Sequence, residues 1–191
     1  MQVSHAARSA AASFDDPNLV SSAGLVPIVA LAEKAGLRRL ADQWLSVPTD
    51  KGANAGAKVA SLVAGMVAGA DSIDDMALLR HGGMKKIFTA VYAPSTLGSF
   101  LRSFTFGHVR QLDAVASRFL IALAGQAPIV PASTDSQMVF VDVDDTIIEV
   151  HGPTKQGAGF GYSGVRGLNA LLATVSTATT APVIIGQRLR K

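Results

Sequence analysis

A change of hydrophobic period inside residues 126–137 restricts the fold more than any other feature of this chain. Before it, apolar residues recur at helical spacing. Leu37, Leu40, Ala41, Trp44 and Leu45 form one stripe, with Pro48 just beyond it. Val59, Leu62, Val63, Met66 and Val67 form a second, in which Gly65 and Gly69 permit close packing. Ser72 and Asp75 form an approximate capping box for a third helix, and Gly82-Gly83 end it. Ser95 is the expected N-cap of a fourth, with Leu97, Phe100, Leu101 and Phe104 on one face. Val109, Leu112, Ala116, Phe119, Leu120 and Leu123 mark a fifth, ending at Gly125. After the change, residues 138–150 are rich in Val and Ile and read as a strand. Residues 157–163 and 181–188 are further strand candidates, with 168–176 another.

The expected organisation is therefore a leader over 1–24, an all-helical domain over 25–126, a linker, and a strand-bearing domain over 138–191. With 191 residues, 49% apolar content and 16% charged residues, the chain has enough material for a real core and too little charge for disorder. It has no cysteine, which excludes a disulfide framework, a thiolate nucleophile and a Cys-ligated metal site. The most apolar window, Val59 to Ala70, is bounded by Lys58 and Asp71, well short of the ~20 residues a membrane span needs. The first fourteen residues lack the apolar block of a secretory signal, so an intracellular protein with no membrane partner is expected.

The net charge of +3 conceals four blocks. Residues 1–75 carry −2, residues 76–134 carry +5, residues 135–149 carry −5, and residues 150–191 carry +5. An acidic cluster between two basic segments suits a site where carboxylates hold a cation while the flanks hold a polyanion. Ordinary surface heterogeneity is the competing explanation. The acids concentrate in Val139-Phe-Val-Asp142-Val-Asp144-Asp145-Thr146-Ile-Ile-Glu149, where an apolar run is expected to carry the strand into the interior. Strand alternation puts Asp142 and Asp144 on one face. Two such carboxylates repel unless a cation joins them, and magnesium, a hard ion, is the natural guest. A solvated strand end is the bland alternative.

Two families share this signal. Asp142-x-Asp144-x-Thr146 resembles the first motif of haloacid-dehalogenase-like phosphatases, in which the first Asp is the nucleophile and the second an acid/base. Such an enzyme also needs a downstream Lys and a later acidic pair, and no carboxylate follows Glu149. A broader ordered set covers Asp142 to Thr146, Glu149-Val-His-Gly152, Lys155-Gln-Gly-Ala158 and Gly161-Tyr-Ser-Gly-Val-Arg-Gly167. It resembles the core of bacterial insertion-sequence transposases of the DDE type, in particular the transposase DDE domain group 1 proteins. Upstream, Gly69 to Met76, Ala93 to Arg102 and His108 to Leu112 add to the likeness, as does Gln187 to Lys191. The chain differs from that group at Leu168, where an aromatic residue is usual, and at Asn169-Ala170, where a His-Pro-like pair is usual.

The resemblance implies an α+β chain: a helical DNA-binding domain followed by the first strands of a ribonuclease-H-like α/β domain. It implies two-metal phosphoryl transfer at transposon ends with Mg2+ or Mn2+, in the complete enzyme only. Asp144 is the implied catalytic metal ligand, with Asp142 second; Asp145 stands where many relatives have Ser. The implied partner is double-stranded DNA, both transposon ends and target, in the nucleoid of a bacterial cytoplasm, and a homodimer is compatible with this. Lys155, Arg166, Arg188, Arg190 and Lys191 are the candidate phosphate contacts near the scissile site, with Arg102, Arg110, Lys85 and Lys86 from the helical half. For each base the competing reading is a solvated surface charge. The family's triad needs a second Asp and a Glu later in the chain, so a truncated, inactive N-terminal part is expected. A non-catalytic DNA-binding remnant, or an inhibitor of transposition, is the alternative.

Overall fold

Helices dominate up to residue 124 and antiparallel strands follow, in a computed structural model that describes residues 16–48, 50–88, 91–129, 138–152 and 157–190. The chain is α+β. The expected leader over 1–15, the linker over 130–137, Lys155 and Lys191 lie outside the described residues.

The first apolar stripe folds as two helices, α1 (Leu25–Lys34) and α2 (Leu37–Trp44), separated at Gly36. The second stripe is α3 (Ala55–Val67). The short α4 (Met84–Ile87) follows a 3₁₀ segment, Asp74–Arg80. Next come α5 (Pro94–Arg102) and the long α6 (Phe106–Ala124). The stripes meet where their period requires. Leu37, Leu40 and Ala41 of α2, Val59 of α3, Phe100 of α5 and Val115 of α6 form one buried cluster. Phe100 is sealed from solvent and meets Phe104 edge-on, with ring centroids 5.0 Å apart. A second cluster joins Leu25, Ala64, Leu79 and Met84.

Three local details differ from the sequence expectation. The third helix is 3₁₀ rather than α. Its cap does form: the Ser72 hydroxyl and N–H donate to Asp75 Oδ2 at 2.5 and 3.0 Å, and the Ser72 hydroxyl holds the Asp75 carboxyl below its ordinary range. The fourth helix starts at Pro94, with Ala93 rather than Ser95 at the N-cap. Proline's fixed φ and missing N–H suit the first helical position. Gly65 and Gly69 divide the role assigned to both. A Cβ on Gly65 would lie 2.2 Å from Met76 Sδ, so that position is one of close approach. Gly69 has open space around it and is needed for its φ of +100°.

One buried cation ties the helical half together. Lys58 is 4% exposed, and its Nζ donates to the carbonyls of Lys51 at 2.7 Å and Ala53 at 2.6 Å. It lies over the rings of Tyr92 and Phe100, 5.5 and 5.3 Å from their centroids. Burial holds its ammonium pKa below the ordinary value, against the attraction of Asp50.

The sheet is an antiparallel meander. β1 (Phe140–Glu149) pairs along its length with β3 (Arg166–Ser176), and β3 pairs on its other side with β4 (Val183–Arg190). The two-residue β2 (Gly159–Phe160) lies on the β4 side of β3, at its beginning. Residues 168–176 thus belong to the central strand, while 157–163 contribute only a stub. β1 does not enter an interior as its apolar run suggested. It is an edge strand, with Val141 60% and Val143 62% exposed. The reason is topological: among the described residues it has one neighbouring strand, and α6 packs over β4 instead. No helix among the described residues is long and apolar enough to cross a membrane.

Candidate functional site

Alternation along β1 separates its acids. Asp142 and Asp144, opposite Thr174 and Leu172 of β3, project from one face; Asp145, opposite Leu171, projects from the other. The two faces have different surroundings. The Asp145 face looks toward α6 across a cleft of about 610 Å³, lined by Arg110, Asp113 and Ser117 of α6 and by Val143, Leu171 and Arg188 of the sheet. Across β3, Arg190 Nη1 donates to both oxygens of Asp145 at 3.2 Å. Asp145 is therefore the cross-sheet ion-pair partner. Asp142 and Asp144 are exposed on the open face, where Asp144 Oδ1 accepts the N–H of Asp145 at 2.8 Å. By register, Arg166 of β3 and its pair Phe160 of β2 belong to that same open face.

Two carboxylates are a short donor set for magnesium, which keeps its waters unless several oxygen ligands or substrate phosphates replace them. The described residues hold no group of three or more His, Asp or Glu side chains placed to bind a metal ion. Glu149 and His151 sit together at 4.0 Å, but at the far end of β1. The acids present do not make a magnesium site by themselves, and no reaction step is derived through one.

The candidate phosphate contacts do not converge on one surface. Arg110 and Arg188 share the cleft beside α6, and there Arg110 is paired with Asp113 at 2.8 Å. Arg190 is committed to Asp145. Arg166 donates to the carbonyl of Gly152 at 2.7 Å and braces the base of the β1–β3 hairpin. Arg102 donates to the Ser99 hydroxyl at 3.3 Å, at the end of α5. Lys85 and Lys86 project from α4, and Lys86 donates to the Asn18 side chain. The bases thus fall into a cleft, an open sheet face and two helical patches.

Sequence reasoning passed over two groups. Arg118 stacks on the Trp44 ring at 3.7 Å, joining α6 to α2. Phe160 and Tyr162 stand in the glycine-rich turn at 77% and 98% exposure. The available signal was their interleaving with Gly159, Gly161 and Gly164. No protein-family model matches the chain, and no curated protein or solved structure matches it.

Proposed function

We propose that the chain acts in DNA transposition, as the helical DNA-binding part and the first strands of a ribonuclease-H-like DDE nuclease. The observation that carries this reading is the pair Asp142 and Asp144, side by side on the open face of the first strand of an antiparallel meander, with Arg166 on the same face. Asp144 is one metal donor of a site whose remaining carboxylates come from outside residues 150–191, in which there is no Asp or Glu. The 191 residues alone bind DNA and neither nick nor join it. The helical half and the Arg110–Arg188 cleft meet duplex phosphates in a bacterial nucleoid. The short donor set also suits a binding-only role, in which the chain occupies transposon ends and inhibits the full enzyme. A phosphatase is less well supported, because Asp142 stands on an exposed edge strand rather than in a closed nucleophile pocket.

Duplex binding at several salt concentrations tests this reading. The association constant should fall linearly on a log–log plot, with a slope of about −0.9 for each phosphate neutralised. Arg110→Ala combined with Arg188→Ala should make that slope shallower by up to about 2. No duplex binding at low salt would overturn the proposal.

A further inference from the structure

The hairpin between β1 and β3 carries two aromatic rings where a turn needs none. Its described residues, 157–165, read Gly-Ala-Gly-Phe-Gly-Tyr-Ser-Gly-Val. The Gly164 N–H donates to the Gly161 carbonyl at 3.0 Å, and the Gly161 N–H donates to the Val165 carbonyl at 3.3 Å. Gly164 has φ of +72°, the left-handed conformation that turn glycines supply. Turn chemistry accounts for these glycines. It does not account for Phe160 and Tyr162, whose rings stand in water and pack in none of the buried clusters.

Their setting points to a ligand with flat faces and negative charge. Residues 150–191 contain five bases and no carboxylate, so the hairpin belongs to a segment that attracts a polyanion. Arg166, the register partner of Phe160, fixes the hairpin's base through the Gly152 carbonyl. The face shared by Phe160 and Arg166 is the one that bears Asp142 and Asp144. From Asp144 to Glu149 the strand rises about 17 Å at ~3.4 Å per residue, a distance of several nucleotides. Aromatic rings interleaved with bases form stacking platforms for single strands, because every nucleobase has a π-face.

We propose that Phe160 and Tyr162 form a stacking site for unpaired bases of single-stranded DNA, positioned to hold a frayed strand beside the carboxylate face. The proposal rests on the transposition reading only for the identity of the polymer. Anisotropy titrations of the 191-residue chain with a blunt duplex, and with the same duplex carrying a 3′ oligothymidine tail, separate the two ideas. The tailed duplex should bind about tenfold tighter or more. Phe160→Ala and Tyr162→Ala should each erase most of that gain and leave blunt-duplex affinity unchanged, while Phe160→Trp and Tyr162→Phe retain it. Both positions are exposed, so circular dichroism should show an unaltered fold. Equal affinity for blunt and tailed duplexes would overturn the stacking site and leave the transposition reading standing; no binding to either would overturn both. Loss of binding to phosphatidylserine vesicles in the alanine variants, with tail binding intact, would reassign the rings to a lipid surface and overturn the proposal.

Discussion

The helical half and the sheet treat their apolar residues in opposite ways. Between α1 and α6, Leu79, Met84, Leu97 and Phe100 are sealed from solvent, and facing stripes share buried clusters. In the sheet, the buried hydrophobics among the described residues are Ala170 and Val175, both on the central strand β3. Val141, Val143 and Ile148 of β1 and Ile184 and Leu189 of β4 remain more than two-fifths exposed. Helices with matched stripes satisfy one another, whereas a three-stranded meander needs a covered face before it stabilises itself. The stability of this chain resides in the helices. The sheet displays groups whose chemistry depends on exposure, namely two carboxylates and two aromatic rings.

Core truncation offers the largest effect and the most direct way to break this comparison. Phe100→Ala should cost about 3–5 kcal/mol in urea denaturation, because it removes a fully buried ring at the junction of α2, α3 and α6. Val143→Ala, on the edge strand, should stay within about 0.5 kcal/mol of the parent. Equal costs would mean that the two halves share one cooperative core.

Lys58→Met comes next. It leaves the carbonyls of Lys51 and Ala53 without their donor and should cost about 1–3 kcal/mol near neutral pH. Its pH dependence has a definite sign. The folded Lys58 pKa lies below the ordinary 10.5, so the unfolded chain binds that proton more readily than the folded protein. The contribution of Lys58 to stability is therefore level below the folded pKa and rises as pH climbs from there toward 10.5. Melting curves should show the gap between parent and variant widening from neutral pH to about pH 10. A constant gap would show that burial does not perturb this lysine.

The smallest effect is expected at the cross-sheet ion pair. Asp145→Asn removes the charge facing Arg190, and side-chain exposures of 37% and 53% leave the pair open to water and salt. The cost should be under about 1 kcal/mol and vanish in high salt. A larger, salt-independent loss in denaturation would show that the sheet is locked by this contact and sharpen its contrast with the helices.

Much of this architecture was legible along the chain because it depends on local period. The stripe from Leu37 to Leu45, the stripe from Val59 to Val67 and the run from Val109 to Leu123 each lie on a helix. The Val- and Ile-rich run around Asp144 lies on a strand. Strand alternation alone put Asp142 and Asp144 on a common face. Caps were harder, since Pro94 and Ser95 both suit a helix start and differ by one residue.

Tertiary structure decided what period cannot encode. A strand's sequence states which side chains share a face, but not which neighbours flank it or what covers that face. Pairing with β3 alone made β1 an exposed edge, and packing of α6 over β4 made the Asp145 side the helix-facing one. Register across three strands brought Arg190 to Asp145, 45 residues apart in the chain, and so withdrew one expected phosphate contact. The same register put Phe160 and Arg166 on the carboxylate face. Lys58 read as the polar boundary of an apolar window until folding closed two backbone carbonyls and two aromatic rings around it. Residue type and spacing determined which groups this protein carries and how they alternate; which of them meet depends on long-range pairing, whose partners are set by the whole fold.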